Sequence, residues 1–429
     1  MKRIFSLIVV VMVWANMFAQ NHQRYVGGDI SMLPKYEQYN STYKDAYEQN
    51  IDNLLRWFVT DCGWNTFRVR IFVNPIEQSK GAYDPQICQD LAYVTALGKR
   101  IKEVGGYFLL DFHYSDEWVD ALHIQAPVAW QGASDAEMAQ HVAEHTREVL
   151  TALNEAGATP DLVQVGNEIM YGLCGIKVHP YSDNKDNWEG YLGLLQAGCN
   201  TVRELCPNAQ IIIHTDRPSN SSYNKYYYQK LVDNGVDYDI IGLSYYPFWH
   251  GYLPGLVNAV NRLATDFPDK RVHIVETAYN FQWWPTSGVN YDTRDVWECS
   301  KKGQYTFVKD LVDALLPLEN VDGLSYWFPE EAGNGDKGTV LTGWLNRGFW
   351  DENQSTTGHR INRAGQPTGD KTAADVCAPY YMGKFVEEPQ GIEILPTPPT
   401  ATKKIHDGLL LIERNNRLYT VEGKVIIDN

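Results

Sequence analysis

Basic tracts are scarce: no run of Lys or Arg exceeds two residues in a chain whose formal net charge is −16. That balance makes nucleic acid and anionic membrane surfaces poor partners and favours a neutral substrate. Long apolar runs are missing beyond the first 20 residues, so no later segment is expected to span a bilayer. Cysteine is sparse, with 7 in 429 residues (Cys62, Cys88, Cys174, Cys199, Cys206, Cys299, Cys377), and none forms CxxC or another metal-ligand spacing. They read as buried small hydrophobes, the odd count leaving at least one unpaired and room for one or two disulfides in an oxidising compartment. Also missing is a Gly-rich phosphate fingerprint after the first strand-like segment, which argues against a doubly wound dinucleotide fold.

Aromatic residues, by contrast, are plentiful, with 13 Trp and 27 Tyr. They can fill a large core, or supply flat faces with polar edges against which sugar rings stack. The opening MKRIFSLIVVVMVWANMFAQ has two cations, an apolar run from Ile4 to Trp14 and small or polar residues near Ala19. It is expected to be a secretory signal peptide over residues 1–19, which places the protein outside the cytoplasm, secreted or periplasmic. No cysteine adjoins the cleavage point, so a lipoprotein anchor is not expected.

Short apolar runs then alternate with longer amphipathic stretches. Eight strands are predicted at 24–30, 65–73, 107–113, 162–168, 210–216, 239–246, 272–278 and 321–327. Between them YEQNIDNLLRWFVTDCG, DLAYVTALGKRIKEVGG and DAEMAQHVAEHTREVLTALNEAG place apolar residues three and four apart and end on Gly, as helices do. Eight buried strands alternating with helices predict an α/β fold, a (β/α)8 TIM barrel, over residues 24–385. A Pro- and Thr-rich linker is expected at 386–404, followed by a small β-hairpin-like tail at 405–429.

Two of these strands end in glutamate: LVQVGNE in Glu168 and VHIVETA in Glu276. In such a barrel chemistry lies at the C-terminal ends of the strands, and strands four and seven can aim both carboxyls at one centre. Two carboxyls facing a sugar bond suffice for glycoside hydrolysis if their environments separate their pKa values. In FRVRI, Arg68 and Arg70 alternate about Val69 and share one face. A guanidinium there favours an ionised Glu276 as nucleophile and leaves Glu168, beside the neutral Asn167, as acid/base. A buried ion pair without chemistry is the competing account of the arginines.

In order, GGDISMLP, NTFRVRIFVNP, LLDFHYSDEWVD followed by PVAW, VQVGNEIMYGL, GLSYYPF and VETAY resemble glycoside hydrolase family 53, the endo-β-1,4-galactanases, from about residue 25 to about residue 350. The resemblance implies a retaining enzyme acting on β-1,4-galactan or arabinogalactan of pectin, with Glu168 after Asn167 as acid/base and Glu276 as nucleophile. It also implies substrate-binding roles for Asp29 on the floor of the site, for His113, Asp116 and Trp118 after strand three, and for His214 at the end of strand five. At the end of strand six Tyr245 or Tyr246 would steady the nucleophile, and Trp327 would be the platform beneath the sugar that is cleaved. No cofactor is expected to be required, although EEAGNGDKGTVLTGWLNRGFW has acidic and glycine residues suited to a structural calcium, in a spacing that fits no standard calcium loop. Where many members carry a WADP-like run this chain has WVDALHIQAP, so that wall of the cleft is expected to differ. A clan-related endo-β-1,4-glycanase (mannanase or cellulase) and a glycan-binding protein without catalysis remain the alternatives.

Overall fold

Parallel strands whose two faces are both apolar need a covered interior and a covered exterior, and here the chain supplies both. The computed structural model describes residues 23–38, 43–45, 49–75, 78–79, 82–83, 86–182, 186–281, 284, 288–331, 347–351, 359–361 and 378–386, and in the tail 402–406, 409–414, 417–419 and 425–428. Eight strands close a barrel: β1 (Tyr25–Asp29), β2 (Thr66–Ile71), β3 (Tyr107–Phe112), β4 (Leu162–Val165), β5 (Gln210–Thr215), β6 (Ile240–Tyr245), β7 (Arg271–Thr277) and β8 (Val321–Trp327). Each pairs in parallel with its sequence neighbours, and β1 closes the ring by pairing with both β2 and β8.

Helices α1 (Leu54–Thr60), α2 (Leu91–Glu103), α3 (Asp135–Glu155), α4 (Trp188–Leu205), α5 (Ser221–Asp233), α6 (Leu253–Asp266), α7 (Lys301–Leu315) and α8 (Ala378–Gly383) follow the strands in turn. Side-chain caps set many of their starts: Asn53, Asp90, Asn187, Asn220 and Ser300 each accept a backbone N–H of the first turn, and Ser134 forms a reciprocal capping box with Glu137. The first predicted helix is shorter than its apolar spacing suggests. Asn50–Ile51 pairs as a strand with Tyr43–Lys44, and Asn53 then begins the helix.

Strand β4 ends at Val165, short of its predicted end, because Gly166 (φ +88°) and Glu168 (φ +49°) turn the chain through the left-handed region. In β7 the pairing with β6 slips: Leu243 faces Ile274 but Ser244 faces Glu276, so Val275 is the extra residue of a bulge.

The barrel unit ends at Val386, and a second unit begins at Glu387. There Thr402–His406, Leu409–Arg414, Arg417–Tyr419 and Val425–Asp428 form a four-stranded antiparallel meander, two strands more than a hairpin and starting inside the stretch expected to be linker. Among the described residues Cys174, Cys199, Cys206 and Cys299 are free thiols, so none of these four takes part in the disulfides the sequence allowed for. No helix among the described residues is long and apolar enough to cross a membrane.

Candidate active site

Alternate residues of the barrel strands face inward, and their character changes along the barrel axis. Leu109, Leu162, Ile212 and Ile240 join Tyr25 and Val275 in an apolar plug. Two residues further along β3, β4 and β5 the same face carries Asp111, Gln164 and His214, and on β6 Gly242 and then Ser244. His273, on β7, fits the interior because Gly323 faces it: a Cβ at 323 would lie 2.1 Å from the imidazole ring.

Arg68 sits at the centre of this polar layer, 1% exposed. Its Nη1 donates to Asp29 at 2.8 Å, and its Nη2 reaches Asp111 and Asn167 at 2.8 Å and Glu276 at 3.0 Å. Burial disfavours the guanidinium charge, but Asp111, Glu276 and Asp29 outweigh that and keep it protonated. Asp111 is bound besides by Gln164 Nε2 at 2.6 Å and lies 3.2 Å from His113 Nε2. Since His113 Nδ1 accepts the Val119 N–H, the His113 proton is on Nε2 and points at Asp111.

Glu276, 6% exposed, is fixed through both oxygens, Oε1 by Arg68 and Oε2 by the Tyr246 hydroxyl at 2.9 Å. The β7 bulge is what turns it inward; unbroken alternation from His273 and Val275 would point it at the helices. Burial pushes its carboxyl up to about 7; Arg68 and Tyr246 oppose the rise, and the Asp111 and Asp29 charges add to it. Glu168, half-buried beyond the end of β4, receives the Ser244 hydroxyl on Oε1 at 2.6 Å. Ser244 in turn accepts from His214 Nε2 at 2.8 Å, while His214 Nδ1 accepts the Glu168 N–H at 3.3 Å. Burial and then Arg68 hold His214 far below the usual imidazole value, so the ring is neutral. Glu168 is pushed well above the carboxylate range by burial, by the Glu276 charge and by Asp216, with Ser244 opposing. The two carboxyls thus differ in the required sense: the one beside a cation is the easier to ionise, and the other keeps its proton.

Both open into one cleft of about 870 Å³, whose walls also include Trp118, Trp327, Asp216, Arg217 and Trp249. Trp118 and Trp327 meet edge to face at 6.3 Å, and the Arg70 guanidinium lies 4.4 Å from the Trp118 ring centre. An aromatic corner beside a paired acid and base is a sugar-binding arrangement.

A profile of glycosyl hydrolase family 53 matches residues 25–359. The chain belongs to that family. It is 32% identical over 331 residues to an arabinogalactan endo-beta-1,4-galactanase of Cellvibrio japonicus, with 72% of this chain and 81% of the relative covered. Among solved structures, the Ignisphaera aggregans GH53 catalytic domain aligns with a TM-score of 0.71 at 27% identity, over 85% of this chain and 97% of that one. A structure from work on two fungal beta-1,4-galactanases aligns with a TM-score of 0.66 at 25% identity, over 80% of this chain and 98% of that one.

The family 53 barrel brings Arg68, Arg70, His113, Trp118, Asn167, Tyr246 and Trp327 to the cleft together with the two glutamates. Four expected contacts need correction. Asp116 does not face the cleft, because its two oxygens accept the Asn74 and Val128 backbone N–H groups and tie the loop together. Tyr245 points away from it and donates to the Gly251 carbonyl, leaving Tyr246 as the tyrosine on Glu276. Asp29 and His214 lie behind the lining, where Asp29 binds Arg68, Arg70 and Ser31 and His214 acts through Ser244. Asp111, Gln164, Ser244 and Asp216 were not anticipated; each lies two residues beyond an inward residue of its own strand, and that period is the signal that finds them.

The loop considered for calcium spans residues 330–350, of which 332–346 lie outside the described residues, and among the described residues no group of three or more His, Cys, Asp or Glu is placed to hold a metal. For this hydrolase Ser244→Ala is expected to shift the basic limb of the kcat/KM profile to higher pH. The hydroxyl stabilises ionised Glu168, so its loss raises the pKa of the carboxyl expected from the sequence to act as the acid. An unmoved limb, measured against wild type in the same buffers, would show that Ser244 does not act on the proton donor.

Proposed function

We infer that the protein is an endo-β-1,4-galactanase that cleaves β-1,4-galactan with net retention. What carries the reading is the asymmetric pair: Glu276 held by Arg68 and Tyr246, and Glu168 held protonated by burial and by the Glu276 charge. In this mechanism the Glu276 carboxylate attacks the anomeric carbon while Glu168 gives its proton to the departing oxygen. Once Glu276 is esterified by the sugar its negative charge is gone, the Glu168 pKa falls, and Glu168 can take a proton from the incoming water. Family membership and the printed names of its relatives support galactan as the substrate. Together with the leader-like first 19 residues they support action outside the cytoplasm, on the galactan side chains of pectin.

Nuclear magnetic resonance of the first product released from potato-type galactan tests substrate and stereochemistry at once. The β-anomer should accumulate first and only then equilibrate. An α-anomer appearing first would overturn the double displacement, and release from mannan or cellulose in place of galactan would overturn the substrate.

A further inference from the structure

Glu168 gives its proton to the leaving sugar, on the reading above, so the part of the cleft beside Glu168 receives the released end of the chain. That part is walled by Asp216 and Arg217. Asp216 Oδ1 is buried without a hydrogen-bond partner, while Oδ2 lies 3.1 Å from Arg217 Nε. From Arg217 a chain of aromatic contacts leads away from the cleft residues. Tyr171 ends the short 3-10 turn that starts directly after Glu168, and the Arg217 guanidinium stands 5.6 Å from its ring centre. Tyr223, in the first turn of α5, is close enough to add to the rise of the Tyr171 phenol, of which burial is the larger cause. Its own ring lies 4.8 Å from that of Tyr181 at 32°.

Tyr181 is 53% exposed, an unusual state for so large a ring with rings on two sides. The turn that carries it is built firmly. His179 and Ser182 bridge across it, Asp186 accepts the His179 backbone N–H at 2.7 Å and meets its Nδ1 at 2.6 Å, and the His179 ring abuts Tyr181 at 5.6 Å. A braced, exposed aromatic face joined to the cleft residue Arg217 through Tyr171 and Tyr223 has what stacking on a pyranose requires: low ordering cost, an apolar face and polar edges.

We propose that Tyr171, Tyr223 and Tyr181 form a platform for the sugars beyond the cleavage point, so that the cleft extends along the released, reducing-end side of a β-linked galactan chain. This rests on the galactanase reading, and the test separates the two.

The test compares kcat/KM for wild type, Tyr181→Ala and Tyr181→Phe on long galactan and on an aryl β-galactobioside, whose leaving group is too short to reach the platform. Tyr181→Ala should lose about two- to tenfold on the polymer, the range of one aromatic stacking contact, and nothing on the aryl glycoside. Tyr181→Phe, which keeps the ring face, should match wild type on both. Equal loss on the two substrates, or no loss on the polymer while wild type cleaves it, would overturn the platform and leave the galactanase reading standing. Failure of wild type to cleave galactan at all would overturn both.

Discussion

Glu276→Ala should reduce turnover of galactan by about 10⁴-fold or more, the scale of removing a nucleophile, and added azide or formate should restore part of it. The expectation follows from what the substitution leaves behind. Arg68 still has Asp29 and Asp111 for partners, so no buried charge is stranded and the barrel should fold. The Arg68 Nη2 and the Tyr246 hydroxyl, which gripped the lost carboxylate, remain as a cradle for a small anion. An anion attacking from there displaces the chain in a single step, so the rescued product should be the α-glycosyl azide. Retention of more than a hundredth of wild-type activity without rescue would remove Glu276 from the nucleophile's role.

Glu168→Gln should divide substrates by their leaving groups. Galactan, whose departing hydroxyl is a poor leaving group, should slow by about 10²–10⁴-fold, while aryl glycosides with acidic phenols should be cleaved into the glycosyl-enzyme at near wild-type rate. Gln keeps the shape and can still accept the Ser244 hydroxyl, so the loss reports the missing proton and not a disturbed loop. Pre-steady-state release of phenol gives the first step separately from hydrolysis of the intermediate. Equal losses on both substrates would move the proton donor to Asp216, whose carboxyl, pushed up to about 6 chiefly by burial, is the next candidate in the cleft.

Much of this architecture could be read from the chain before folding. Apolar runs bounded by helical periodicity gave the eight strands, and the alternation of Arg68 and Arg70 about Val69 put two cations on one face. Glu168 and Glu276 stood out because each closes an apolar run. What escaped reading has a common cause: both faces of a parallel barrel strand are buried, so hydrophobicity does not say which residues look inward. That is why Tyr245 and Tyr246 could not be told apart, although Gly242 and Ser244 share the inner face with Tyr246. At Glu276 even correct parity would mislead, since the extra Val275 reverses it, and a bulge depends on pairing between strands that lie far apart in sequence. Asp116 shows the converse, a carboxylate in an aromatic, polar loop motif whose partners turn out to be backbone N–H groups that sequence does not single out.

The left-handed turn after β4 sets folding against function at one residue. Gly166 suits its positive φ, and a Cβ there would come 2.7 Å from Ile169. Glu168 has the same sign of φ without the same freedom, and a long side chain pays for that conformation in stability. A chain selected for nothing but a durable barrel would place glycine or asparagine at 168. On the proposed mechanism the glutamate at 168 gives up some backbone stability for proton transfer, so Glu168→Gly or Glu168→Asn should raise the melting temperature while lowering turnover of galactan.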